Sequence, residues 1–213
     1  MLNTTAQYYQ QALNDIGSLY KRSGFNLTKI WCDEAFHAAL DPIVVTYNTP
    51  IKVNYANPRE HVPQAERNNI YIKEHFCAVY HRLLFEQLTR EIVKYLGLEL
   101  ARSPNMFLAK HGVLKYYSPC MIVCQKNVDY DNHLKIPFGT YVLSNNEPNP
   151  MNTNVPSQLE FIYMRATDST QGDHKLLHLY TNSVITRNCV TSAPITPTII
   201  NQVQPIFLYG SYA

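Results

Sequence analysis

Residues 60–90 read EHVPQAERNNIYIKEHFCAVYHRLLFEQLTR, and the rest of the chain is understood through them. The stretch opens on a proline-punctuated loop, Glu60-His61-Val62-Pro63. Pro63 suits the first helical position, where a missing N–H costs nothing. Ala65, Ile72, Phe76, Val79, Tyr80 and Leu83 then recur at helical spacing and predict one buried stripe. Glu66, Asn69 and Lys73 stand at i, i+3 and i+7 and share a different face. Two readings fit that face. One is a solvated amphipathic helix. The other is an acid at a helix start with a cation two turns along, able to hold a metal and a phosphate backbone.

Upstream, residues Gln7 to Lys21 predict a helix with Tyr9, Leu13, Ile16 and Tyr20 on its apolar face and Ser23-Gly24 as its stop. Phe25 to Cys32 (FNLTKIWC) is aromatic and β-branched and predicts a strand ending at Asp33. Glu34 to Leu40 reads as a short helical turn, closed by Asp41-Pro42. Ile51 to Tyr55 predicts a second strand, broken by Asn57-Pro58. Downstream of the opening helix, Phe85 to Ala101 predicts another, with Leu88, Ile92, Tyr95, Leu96 and Leu100 on one side. Helix, strand, strand, helix, helix is an α/β pattern.

At Arg102-Ser103-Pro104-Asn105 helical periodicity stops. Leu134 to Leu143, Leu159 to Arg165, Lys175 to Leu179 and Ser183 to Val190 predict short strands, with a polar, proline-rich loop from Asn145 to Gln158. Such strands predict a small barrel. The expected organisation is a core over residues 1–105, a small all-β module over 106–203 with a short helix around Thr198 to Val203, and a tail over 204–213.

A chain of 213 residues with 46% hydrophobic content can bury a core, as one domain or two small ones. No run of eighteen apolar residues predicts a membrane span, and the first residues carry no secretory pattern. Cys32, Cys77, Cys120, Cys124 and Cys189 are an odd, scattered set, which fits a reducing, intracellular compartment. Cys120 and Cys124 lack a second pair at zinc spacing, and His174 and His178 lie in a predicted strand, too far apart to share one metal easily. The net charge of +2 permits nucleic-acid binding without arguing for it.

Asp33 at a strand end and Glu66 on the first turn of a helix can be brought together where a sheet meets a packed helix. Hard divalent cations favour such oxygen donors, and two of them can activate a hydroxyl and stabilise a leaving oxygen in phosphoryl transfer. Arg67, Lys73, Arg82 and Arg90 can contact phosphates, or simply form a solvated helical surface. The sixteen tyrosines can stack on bases or fill the core.

KIWCDEAF (Lys29 to Phe36) and the segment from Asn54 to Glu74, with its NPREHVPQAERNN, resemble the integrase core of Copia-type (Ty1/Copia) retrotransposons. HGVLKYYSP (His111 to Pro119), FGTYV (Phe138 to Val142), EPNPMNTN (Glu147 to Asn154) and VITRNCVTSAPITP (Val184 to Pro197) resemble the same polyprotein in the same order. The resemblance implies a partial ribonuclease-H-like core followed by a small, SH3-like β module. It implies a D,D,E site with Mg²⁺ or Mn²⁺, in which Asp33 matches the second acid and Glu66 the third. It further implies DNA as partner near Arg67, Asn69 and Lys73, a nuclear location if functional, and leaves homo-oligomerisation open; neither a membrane nor a small-molecule substrate is expected.

The departures are specific. Only Asp15 among the acids precedes Asp33, and it lies in a predicted helix, so the family's first Asp has no counterpart here. Cys120 follows Ser118-Pro119 where the family usually has arginine, and Asn188-Cys189 follow Arg187 where it has basic residues. The expectation is an integrase fragment that is inactive alone. The alternatives are a non-catalytic nucleic-acid-binding module and a decayed relic without selected activity.

Overall fold

The first helix runs from Leu2 to Arg22, with Lys21 and Arg22 in its last turn, where cations complement the helix dipole. Gly24 ends it at φ +83°. The Phe25 N–H donates to Tyr20 O (2.9 Å) and the Gly24 N–H to Lys21 O (3.1 Å), the paired bonds of a Schellman cap. The fold is that of a computed structural model, which describes residues 2–33, 36, 40, 51–56, 62–108, 110, 114–146, 157–167, 169 and 171–201. The chain is mixed α/β and forms two compact units, each assembled from two segments: residues 1–71 with 105–127, and residues 72–104 with 128–213.

In the first unit, strand β1 (Lys29–Asp33) pairs in parallel with β2 (Lys52–Ala56). The register runs from Lys29 opposite Lys52 to Asp33 opposite Ala56. A parallel pair needs a crossover rather than a hairpin; Phe36 and Leu40 belong to the intervening segment, Leu40 is buried, and the Phe36 ring meets Tyr9 edge-on at 5.0 Å. The short helix Pro119–Cys124 is capped by Ser118, whose hydroxyl accepts from the Met121 N–H. It is tied to the end of the first helix: the Ser23 hydroxyl donates to Val123 O and the Gln125 amide to Ser23 O.

The helix Pro63–Arg82 has Glu66 in its first turn and His81 and Arg82 in its last, both favourable to its dipole. Its residues divide between the two units after Tyr71. The expected apolar stripe is only half-buried at Ile72, Phe76, Val79, Tyr80 and Leu83, and Ala65 is exposed.

In the second unit, strands β3 (Tyr141–Asn145), β4 (Gln158–Ala166), β5 (His174–His178), β6 (Val184–Arg187) and β7 (Thr191–Ser192) form an antiparallel sheet in the order β6-β5-β4-β3-β7. β4 is buried on both faces. Ile162 and Met164 join Tyr141, Leu177 and Leu179 in one cluster with Phe85 and Ile92. Phe161 and Tyr163 join Val142 and Leu176 in the other. The helix Arg90–Arg102 brings Ile92, Leu96 and Leu100 as its buried stripe.

Several expected boundaries move. The second helix begins at Arg90 rather than Phe85, because Thr89 caps it by accepting from the Ile92 N–H and Phe85 is instead buried in the core. The strand expected over Leu134 to Leu143 is confined to Tyr141–Asn145; Pro137 and Gly139 (φ +81°) hold the preceding residues in a turn, closed by the Thr140 N–H on Pro137 O. The strand expected from Phe25 starts at Lys29. The helices Pro119–Cys124 and Tyr130–His133 were not anticipated. Residues 197–201 are helical. Most of the turn expected over Glu34 to Leu40, most of the loop from Asn145 to Gln158 and all of 204–213 lie outside the described residues.

Two measurements test this core. Phe161 is 0% exposed, so Phe161→Ala lowers unfolding free energy by about 3–5 kcal/mol in urea titration. Burial depresses His174 and His178 below the ordinary histidine value, with Arg187 adding to the effect at His178. The Thr181 N–H also donates to His178 Nδ1, which needs that nitrogen unprotonated. A depressed folded value means the unfolded chain binds more protons, so stability present above about pH 6.5 is lost as pH falls through the folded values. Chemical denaturation at stepped pH reads this loss, and His178→Gln makes it shallower.

Candidate functional site

Parallel pairing makes β1 and β2 end at one edge, with Asp33 beside Ala56. The chain leaving β2 enters the helix that carries Glu66 one turn in, where the Glu66 N–H donates to Val62 O at 3.1 Å. Asp33, Glu66 and Asn69 line one cavity of about 620 Å³ within the first unit. Asn69 reaches it because i+3 repeats the face of Glu66. The remaining walls are largely apolar and include Leu13 and Ile16 from the first helix, Ile30 and Leu40. Cys32 also lines it, and burial, aided by the Asp33 charge, pushes its thiol up. A thiol so raised is largely protonated at neutral pH and is a weak nucleophile.

Asp33 and Glu66 are exposed carboxylates, and Arg67 and Lys73 are exposed cations on the same helix as Glu66. Asp33, Glu66 and Asn69 thus come together, whereas Arg67 and Lys73 are not among the residues that line the cavity. The oxygen donors have the hardness that Mg²⁺ or Mn²⁺ favours. No group of three or more His, Cys, Asp or Glu that could hold a metal occurs among the described residues. Two carboxylates cannot clamp a pair of ions about 3.5–4 Å apart, as two-metal phosphoryl transfer requires.

Lys29 and Trp31, which fall within KIWCDEAF, and Lys52 hold exposed positions of β1 and β2, and Trp31 also lines the cavity. The available signal was period-two alternation in KIWCD and KVNYA.

Comparison of the chain with family models, curated proteins and solved structures gave no match.

Because Mg²⁺ keeps most of its waters unless several carboxylates replace them, titration calorimetry with MgCl₂ is expected to find no site tighter than about 1 mM. EDTA is expected to leave the thermal midpoint unchanged. A micromolar site abolished by Asp33→Asn would show that the pair suffices.

Proposed function

We propose that this chain is an integrase-derived, nucleic-acid-binding protein of the Copia retrotransposon type, with a partial ribonuclease-H-like core and a small barrel-like β module. The observation that carries the reading is the common cavity of Asp33 and Glu66. One acid ends a strand, its parallel neighbour follows, and the next helix brings the second acid to the same cavity. This is the order of elements that the reading requires. The motif resemblance supplies the reaction class, metal-dependent transesterification of a phosphodiester in DNA.

In this reading Mg²⁺ or Mn²⁺ serves the parent reaction, and Asp33 and Glu66 hold it weakly here. Two acids matching the family's three leave the chain unable to join DNA ends by itself. Its residual activity is binding: Arg67, Asn69 and Lys73 meet the phosphate backbone in an intracellular setting, the nucleus where the protein functions. A non-catalytic binding module of separate origin is the second reading. The exposed Arg67 and Lys73 favour it as much, since phosphate contact needs no metal.

Two assays test the proposal. A labelled DNA end offered to the purified chain with Mg²⁺ remains unjoined; efficient joining that disappears in Glu66→Gln would overturn the inactivity. Duplex DNA binding weakens steeply between low and physiological salt. Arg67→Gln and Lys73→Gln each reduce the slope of log K against log salt by about 1. Binding that ignores both substitutions would remove the helix from the interface.

A further inference from the structure

The alternation of β1 leaves Lys29, Trp31 and Asp33 exposed, and that of β2 leaves Lys52 and Asn54 exposed. The register sets Lys29 opposite Lys52 and Trp31 opposite Asn54. Paired residues of a sheet project from the same face, so these side chains form one surface. Trp31 is the sole tryptophan and is 57% exposed. The Lys29 ammonium lies 3.9 Å from the centroid of its ring.

We propose that this face is a stacking platform for single-stranded nucleic acid, with an unpaired base on Trp31 and the adjoining phosphate between Lys29 and Lys52. Like charges directly opposite each other on neighbouring strands are unfavourable. Neither ammonium forms an ion pair among the described residues. An anion seated between them turns that repulsion into two charge-assisted hydrogen bonds. An exposed indole accepts the face of any base. A duplex hides its base faces within the stack, so the indole selects an unpaired strand. The Lys29 ammonium covers one face of the ring, so the base is assigned to the opposite face, and a cationic ligand is disfavoured by the charge already there. Asp33 closes the face at its other end and repels phosphate, which confines the backbone to the lysine end. The ligand class rests on the nucleic-acid-binding reading above; the place rests on the sheet face and needs neither Glu66 nor Lys73.

Because Trp31 is the sole tryptophan, the indole emission of the whole chain reports the surroundings of this one ring. Oligothymidylate of about 15 nucleotides is titrated at low salt, beside oligouridylate and a duplex of the same length. Saturable quenching by either single strand, and none by the duplex, is expected; the two strands separate DNA from RNA as the source. With fluorescein-labelled oligothymidylate, anisotropy is expected to show about 5- to 150-fold weaker binding for Trp31→Ala. Trp31→Phe, which keeps a ring, retains most of the affinity. Lys52→Gln, an exposed change that leaves folding intact, reduces the salt slope by about 0.7. Oligothymidylate binding with unchanged emission and no effect of Trp31→Ala or Lys52→Gln would overturn the proposal, as would no binding at micromolar protein. Duplex binding that depends on Arg67 and Lys73, with no single-strand binding, would sink this inference and leave the proposed function standing. Single-strand binding lost in Lys52→Gln and untouched by Arg67→Gln and Lys73→Gln would do the reverse.

Discussion

The parallel pairing of β1 with β2 is the constraint on which the candidate site depends. Antiparallel strands joined by a hairpin would place their C-terminal ends at opposite edges. A parallel pair sends both C-terminal ends to the same edge, so Asp33 and the chain leading toward Glu66 emerge together. The cavity follows from that arrangement, since the helix entered after β2 carries Glu66 and Asn69 to one wall of it. The same register sets the exposed positions of the two strands in step. One pairing therefore accounts for the acidic edge and for the Lys29, Trp31 and Lys52 face.

The second unit is organised by burial rather than by an edge. β4 lies at the middle of its sheet, and its residues alternate between two apolar clusters. Among the described residues of this unit two polar side chains are buried: Thr89, whose hydroxyl accepts from the Ile92 N–H, and Ser144, whose hydroxyl donates to Cys189 O at 2.7 Å. Glu160 accepts hydrogen bonds from the Tyr141 and Tyr180 hydroxyls at 2.8 and 2.9 Å. Burial and the neighbouring carboxylate push both phenols up, with burial leading at Tyr141 and the Glu160 bond at Tyr180. These hydroxyls are satisfied locally, as a low-dielectric interior favours, whereas Asn182 Oδ1 and Arg187 Nε are buried without a hydrogen-bond partner.

Local chemistry made much of this legible. Period and punctuation place the first helix, the Glu66 helix and β4 to within a few residues, and the strand end at Asp33 is read from FNLTKIWCD. What sequence could not supply was decided by long-range contacts. Phe85 looked helical, yet burial against Met164 and Leu177 and the Thr89 cap moved the helix start to Arg90. LKIPFGTYVL looked like a strand, but Gly139 at φ +81° turns the chain before β3 can begin. The site was half legible for the same reason. Carboxylates at a strand end and a helix start are visible locally, and their sharing of one cavity with Asn69 is not. The Lys29–Trp31–Lys52 face needs the register of two strands about twenty residues apart, which no window of sequence contains.

The two units also differ in what their described residues bury. Among the described residues, the large apolar side chains buried in the first unit are Leu40, Ile51 and Met106, whereas the second buries two connected clusters around β4. A two-stranded sheet has little stability of its own and depends on what packs against it. Here part of the space beside it is cavity rather than side chain, and an unfilled volume forfeits the contacts its lining would make. A ligand that needs these strands paired is coupled to any local opening of the pair. Any ligand seated on the β1–β2 pair binds the closed form and not the open one. It therefore stabilises this pair by mass action, and binding and local order there are a single equilibrium.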